Sequence, residues 1–375
     1  MKKIFAAMAL FGGLTLAAAD PYFDTTIKYV DYGGEILTYA NITVPLKSMT
    51  NIIAKAAKIA GKENTSGLKA IEGMLRLMDL PSFKAFAQSS VAVEPNFYVY
   101  KEFYCIDGAS KSIFGGKAVT NSKIKFLNLP ADTRLAMMCN FNSVYIWKRI
   151  NEEVAATGDK MLIEAFNQLK AEAQKSGINI DDLVASVNGP VFMLLTGNNA
   201  ADLKAMLYIT DSKGAVSTEL RKHFPEQNGE KFCAIKDLPF PVAQNAQLIY
   251  GNGCVVFVSD PKILSPEKKL GDLPQYKKYA AKLPEEGFFM LVTDISQQFA
   301  ENISAMMPPE AKPFFQPKPF SLVTVGSAYQ DGIGTVIASS FSVPMSIFTM
   351  IEKWVCIGMD VAAAQKAKLQ APAAK

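Results

Sequence analysis

Pro190-Val-Phe-Met-Leu-Leu-Thr-Gly197 and Pro319-Phe-Ser-Leu-Val-Thr-Val-Gly326 are two short runs of mostly apolar residues, each held between a proline and a glycine. A run this short, bounded by breakers, reads as a buried strand. Working outward, the two runs have the same neighbours in the same order. Leu129-Pro-Ala-Asp132 opens a strand upstream of the first, and Leu283-Pro-Glu-Glu286 opens one upstream of the second. A helical pattern follows each opening, and a further strand and a helix follow each run. The unit therefore reads strand, helix, strand, strand. Pro95 also precedes a strand and a hairpin signal, so the region before Leu129 reads as a degenerate third copy. Hairpin-linked strands with intervening helices predict an α+β fold, an antiparallel sheet with its helices on one face.

This reading divides the chain into a leader over 1–19, units over 20–128, 129–262 and 263–370, and a frayed tail over 371–375. Within them the pattern predicts two short strands over Thr26 to Tyr39, around Gly33-Gly34. Lys47 to Ala60 and Leu68 to Met78 read as helices. Phe97 to Ile106 reads as a strand ending in an Asp107-Gly108 turn. Leu135 to Phe141 reads as a strand, and Tyr145 to Lys175 as a long helix interrupted near Gly158. Gln247 to Tyr250 and Val255 to Val258 form a meander around Gly251-Asn-Gly253. Asp331-Gly332 marks a hairpin, because glycine tolerates the positive φ that the turn needs. Met345 to Leu369 reads as a last helix, apolar on nearly its whole circumference.

The first residues read as an export signal. Lys2 and Lys3 form a positive start, Ile4 to Leu16 an apolar run too short for a bilayer, and Ala17-Ala18-Ala19 a small-residue cleavage site. Cleavage between Ala19 and Asp20 is expected, giving a bacterial protein of the periplasm or the exterior with no transmembrane segment in its mature chain. Loss of Lys2 and Lys3 leaves 37 basic residues against 35 acidic ones. A nearly neutral chain with four arginines (Arg76, Arg134, Arg149 and Arg221) has no electrostatic footprint for nucleic acid.

The five cysteines sit among apolar neighbours, as buried free thiols do. Export permits disulfides, and the best pair is Cys233 with Cys254, on strands joined by a proline-rich loop. Such a bridge would close a loop of about twenty residues, worth roughly 3 kcal/mol in the loop-entropy account. Connectivity itself is not deducible from sequence.

The run Leu-Pro-Ala-Asp-Thr133 into a strand resembles exported bacterial proteins grouped in families of unknown function. Gly177-Ile-Asn-Ile-Asp-Asp-Leu183 and Leu248-Ile-Tyr-Gly-Asn-Gly-Cys-Val-Val-Phe-Val-Ser259 are similar to segments of the same proteins. The resemblance spans about two-thirds of the chain. It implies the architecture, and it brings no activity and no site residues with it.

Most enzyme chemistry lacks its residues. His223, at the polar end of a short helix, is the only histidine, so two-histidine zinc sites are excluded and a Ser-His-Asp triad has one option. No G-x-S-x-G elbow is present. S-x-x-K occurs at Ser66, Ser122, Ser259 and Ser265, close to chance frequency and without companion motifs. Gly115-Gly116-Lys117 and Gly251-Asn-Gly253 fall short of phosphate and dinucleotide loops. Asp181-Asp182 and Glu285-Glu286 are adjacent rather than opposed across a cleft. Asp181 reads as a helix cap and the glutamates as an exposed turn. No cofactor, metal or catalytic residue is expected.

Two apolar segments suit recognition. One is the stiff loop Pro308 to Phe320, in which Pro313 and Pro317 stiffen the backbone so that Phe314 and Phe315 present aromatic rings at low entropy cost. The other is the last helix. The expectation is a non-enzymatic binding or interaction protein of the cell envelope, with a protein or small molecule as partner. The alternatives are a self-associating structural component, or a hydrolase with an unrecognised Ser-Lys or carboxylate site.

Overall fold

A computed structural model describes residues 20–44, 51–52, 55, 73–107, 120–199, 202–226, 232–234, 246–306, 318–344 and 346. The expected signal segment, the Pro313 to Pro317 loop and nearly all of the last predicted helix lie outside the described residues, as do most of 45–72.

The strands are β1 (Ile36–Asn41), β2 (Phe83–Glu94), β3 (Phe97–Ile106), β4 (Thr120–Asn121), β5 (Thr133–Phe141), β6 (Gly189–Thr196) and β7 (Lys204–Thr210). They continue as β8 (Phe232–Ala234), β9 (Gln247–Gly251), β10 (Cys254–Val258), β11 (Glu286–Gly287), β12 (Phe289–Ile295), β13 (Phe320–Tyr329) and β14 (Gly332–Ser339). The helices are α1 (Phe23–Ile27), α2 (Ser122–Leu127), α3 (Ser143–Ala156), α4 (Lys160–Lys175), α5 (Ile180–Ser186), α6 (Ala215–His223), α7 (Pro274–Lys282) and α8 (Gln297–Met306).

Among the described residues, twelve strands hydrogen-bond into one sheet in the order β1-β2-β3-β14-β13-β12-β5-β6-β7-β10-β9-β8. Every pair in it is antiparallel. The protein is thus mixed α+β around a large antiparallel sheet, and strands from all three predicted units share it. β4 and β11 form a separate two-stranded ribbon.

Alternation along β5 shows how the sheet gets its two faces. Ala136 and Met138 are fully buried, while Met137 between them is exposed. Opposite residues of antiparallel strands point the same way. The rows through Ala136 and Met138 therefore define one face, which carries Met290, Val292, Val323, Val325, Val336 and Ala338. Over its centre lie Phe126 of α2, Leu270, and Tyr276 and Tyr279 of α7, in the main core cluster. At one end α1 covers the same face, with Ile27 packed beside Ala85, Ala87 and Phe103.

The helices do not all lie on this face, as the sequence pattern suggested. Val216, Leu220 and Phe224, in and just after α6, pack on Leu248, Tyr250 and Val255, which belong to the opposite face. The short turn through Gly214 (φ 74°) into α6 permits this: Asp211, the residue after β7, caps α6 by accepting from the amides of Val216 (3.0 Å) and Ser217 (2.8 Å).

Two other expectations are revised. Thr26 to Val30 is not a strand. Asp20 accepts from the Tyr22 amide and Thr26 Oγ1 donates to Tyr22 O (2.6 Å), which favours the single turn of α1. The partner of β3 within its hairpin is β2, joined to it through Pro95-Asn96 with Asn96 at φ 59°, at the opposite end from Asp107. The 145–175 helical pattern is interrupted at Gly158 (φ 60°), where the glycine marked it, and forms α3 and α4.

The Cys233–Cys254 bridge is also corrected. Cys254 is a free thiol. Cys233 lies opposite Leu248, whereas Cys254 lies opposite Gly251 on the far side of β9. Strands two positions apart are separated by about 10 Å, beyond the roughly 7 Å limit for a disulfide. Among the described residues no helix is long and apolar enough to cross a membrane.

Candidate functional site

A cavity of about 440 Å³ lies between α2, the loop that follows it, and strands β5 to β7. Met138, Phe192 and Tyr208 form part of its lining and occupy one cross-strand row, so the register of three strands builds a continuous apolar floor. Pro190 and Met206 extend this lining, and Lys125, Asn128 and Leu129 come from α2 and its loop. This size and make-up match small-molecule sites, which are mostly apolar with a few placed polar groups.

Lys125 is the distinctive member. The short α2 is anchored by two fully buried residues, Ser122 and Phe126. Phe126 packs on Tyr276, their ring centres 6.4 Å apart. That anchoring holds the adjacent Lys125 half-buried against the apolar cavity. Its ammonium makes no hydrogen bond or ion pair among the described residues. Burial alone pushes its pKa down from the usual lysine range, because a desolvated cation is disfavoured. Other lysines nearby are engaged: Lys269 Nζ donates to Asn128 Oδ1 (3.0 Å), and Lys123 lies 4.0 Å from Glu285.

At the far wall, Tyr208 is held protonated above the usual tyrosine range, chiefly by burial and then by the neighbouring Cys254. The cavity thus presents one cation, a neutral phenol and an amide on an otherwise apolar surface. It can hold an apolar body with one negative charge.

Among the described residues, the others singled out in the sequence are not assembled into chemistry. Ser122 shares α2 with Lys125, but its hydroxyl donates toward the carbonyls of Thr120 and Gly287 (3.4 Å each), with no bond to Lys125. Ser259 Oγ accepts from the Ala205 amide (2.8 Å) and braces β7. Asp181 is not the cap of α5. Asn179 caps it, and Asp181 accepts from Trp147 Nε1. Glu285 is exposed beside Lys123, and Glu286 lies in β11. His223 ends α6 at the surface. Among the described residues no group of three or more His, Cys, Asp or Glu side chains is placed to hold a metal.

One buried polar cluster was not foreseen. Arg134 Nη1 lies 3.5 Å from Asp294 Oδ1, its Nε donates to Gly197 O (2.6 Å), and Nη2 donates to Asn198 Oδ1. The Tyr276 hydroxyl donates to Asp294 Oδ2 (2.6 Å), and burial first, then the Asp294 charge, raises its pKa far above the usual range. Each of these four side-chain groups has a partner, so the cluster acts as a clamp joining β5, β12, α7 and the turn after β6. A larger hollow of about 770 Å³ lined by Lys204, Lys262, Lys268, Asp132 and Glu267 carries both signs of charge and selects neither.

Comparison of the chain with protein-family models, with curated proteins and with solved structures finds no match.

Lys125 did carry a sequence signal, as the lysine of Ser122-x-x-Lys125. The serine made that motif suggestive of nucleophile chemistry, yet the Ser122 hydroxyl is turned to the carbonyls of Thr120 and Gly287. The floor residues carried none, since Met138, Phe192 and Met206 read only as strand interior.

Proposed function

We propose that this is an exported bacterial protein of the cell envelope that binds a small ligand in the cavity under α2 without transforming it. The observation that carries the reading is the half-buried ammonium of Lys125, which has no partner among the described residues, at an apolar cavity. Leaving a charge partly desolvated and uncompensated costs free energy. A bound anion would offset that cost. Export rests on the Met1 to Ala19 segment, and membership of an uncharacterised exported family on the Leu-Pro-Ala-Asp-Thr133 pattern.

We also propose that the sheet arose from repeated strand–helix–strand–strand units. In support, β5-β6-β7 and β12-β13-β14 each lie side by side in chain order, with helix between the first and second strand and a direct link between the second and third. The triplet β1-β2-β3 has the same order at the sheet edge.

The test is native mass spectrometry of the protein purified gently from its host's envelope fraction, beside a Met206→Trp variant that fills the cavity. A ligand mass present in the first and lost in the second supports the reading. A bare protein in both overturns it. The same spectra report whether the chain begins at Asp20.

A further inference from the structure

The cavity's own chemistry narrows the ligand class. This inference rests on the binding reading above and deepens it. We propose that the ligand is a single-chain carboxylate amphiphile, with its carboxylate on Lys125 and its hydrocarbon chain on the Met138–Phe192–Tyr208 floor.

Charge is the first reason. The lining holds one cation and no carboxylate. A carboxylate neutralises one ammonium, whereas a phosphate monoester carries about −1.5 to −2 at neutral pH and would leave surplus negative charge against apolar walls. Phosphate recognition also leans on the bidentate fork of arginine, and no arginine lines the cavity.

Shape is the second reason. About 440 Å³ is toward the small end of ligand sites, which run roughly 300–1,000 Å³. It has room for one chain and not for a two-chain lipid. The floor is a cross-strand row, so it is elongated across β5, β6 and β7 rather than round. Methionine at 138 and 206 suits a chain without fixed shape, because its thioether adapts to irregular contacts.

The position of the cation completes the geometry. Phe126 fixes α2 by burial in the core, so Lys125 is presented from a held element rather than from a free loop. The lysine stem can lie on the apolar wall while its ammonium reaches the carboxylate. The amide of Asn128 and the phenol of Tyr208 are the other polar groups of the lining.

The experiment is isothermal titration calorimetry of the full-length mature protein at neutral pH, freed of co-purified ligand, with decanoate, decanol and octanoate. Decanoate is expected to bind about tenfold or more tightly than decanol, the value of one charge-assisted contact. Octanoate is expected about fourfold weaker per methylene removed. Lys125→Met should erase the preference for decanoate over decanol while keeping decanol binding, and Lys125→Arg should retain it. Met206→Trp should weaken all three, with circular dichroism confirming the fold of each variant. Equal affinity for decanoate and decanol, or a decanoate preference that survives Lys125→Met, overturns the ligand class and leaves the cavity as an apolar site. Failure of all three probes to bind overturns the ligand class. If native mass spectrometry then still shows a Met206-dependent ligand, the binding reading stands and only the class falls.

Discussion

Replacing Arg134 by methionine removes the one cation of the buried clamp while keeping most of the side chain's apolar stem. Arg134 is 6% exposed, and its guanidinium serves three acceptors: Gly197 O, Asn198 Oδ1 and Asp294. Hydrogen bonds to a charged group are worth roughly 1.5–3 kcal/mol each when one partner is left behind. Breaking a buried ion pair from one side costs about 3–5 kcal/mol. Here the orphaned Asp294 keeps the Tyr276 hydroxyl at 2.6 Å and its side chain is 22% exposed, so the loss belongs at the low end, about 3 kcal/mol. Asp294→Asn should cost less, about 1–2 kcal/mol, because Arg134 retains two neutral acceptors. In the double variant the losses should fall short of their sum by about 1 kcal/mol or more, as expected for directly coupled groups. The assay is urea denaturation followed by Trp fluorescence and far-UV circular dichroism, whose coincidence shows that one transition is being read. A loss under about 1 kcal/mol for Arg134→Met with an unchanged slope, or strict additivity in the double variant, would refute the clamp.

Asp211 gives a pH dependence of definite sign. Burial alone would raise its pKa, but hydrogen bonds from the Ser217 side chain and amide, the Val216 amide and Ser186 outweigh it and hold the carboxyl below the usual range. Its stabilisation is therefore present above the unfolded value of about 4 and is lost as pH falls toward the folded value. Asp211→Asn should reduce stability by about 1–2 kcal/mol at pH 7, and the gap from the parent should narrow on acidification below about pH 4. A gap that widens in acid contradicts the assignment. For the cysteines, Cys105 is buried with its thiol pushed up by burial, so alkylation under native conditions should be far slower than after denaturation. Intact mass should show no Cys233–Cys254 peptide link after non-reducing digestion, and finding one would contradict the strand register.

The alternating and apolar runs of β5, β6, β7, β9, β10, β12, β13 and β14 were legible because each strand announces itself locally, by period or by flanking breakers. Gly158 and Gly332 marked their turns for the same reason, since a positive φ or a tight reversal is a property of a few neighbouring residues. Strand β2 was not legible. Its inward residues include Ala85, Ala87 and Ser89, small side chains with little hydropathy contrast, and they are buried only because α1, Phe103 and neighbouring strands cover them. The short helix α1 was misread as strand because Thr26 and Ile27 are β-branched, and a side-chain bond to Tyr22 O decided otherwise.

What the sequence determined by itself was the list of most strands, the hairpin at Asp331-Gly332, the break in the long helix and the α+β class. These follow from periodicity and backbone preference, which act over a few residues. Tertiary structure alone decided that the twelve strands β1 to β3, β5 to β10 and β12 to β14, among the described residues, join one sheet, that α6 crosses to the opposite face, and that Cys233 and Cys254 stand too far apart to bond. It also decided that Lys125 meets an apolar cavity in place of water. Pairing and desolvation are set by groups distant in the chain, so no local pattern encodes them: a lysine on a short helix reads the same whether solvent or a row of methionine, phenylalanine and tyrosine lies beneath it.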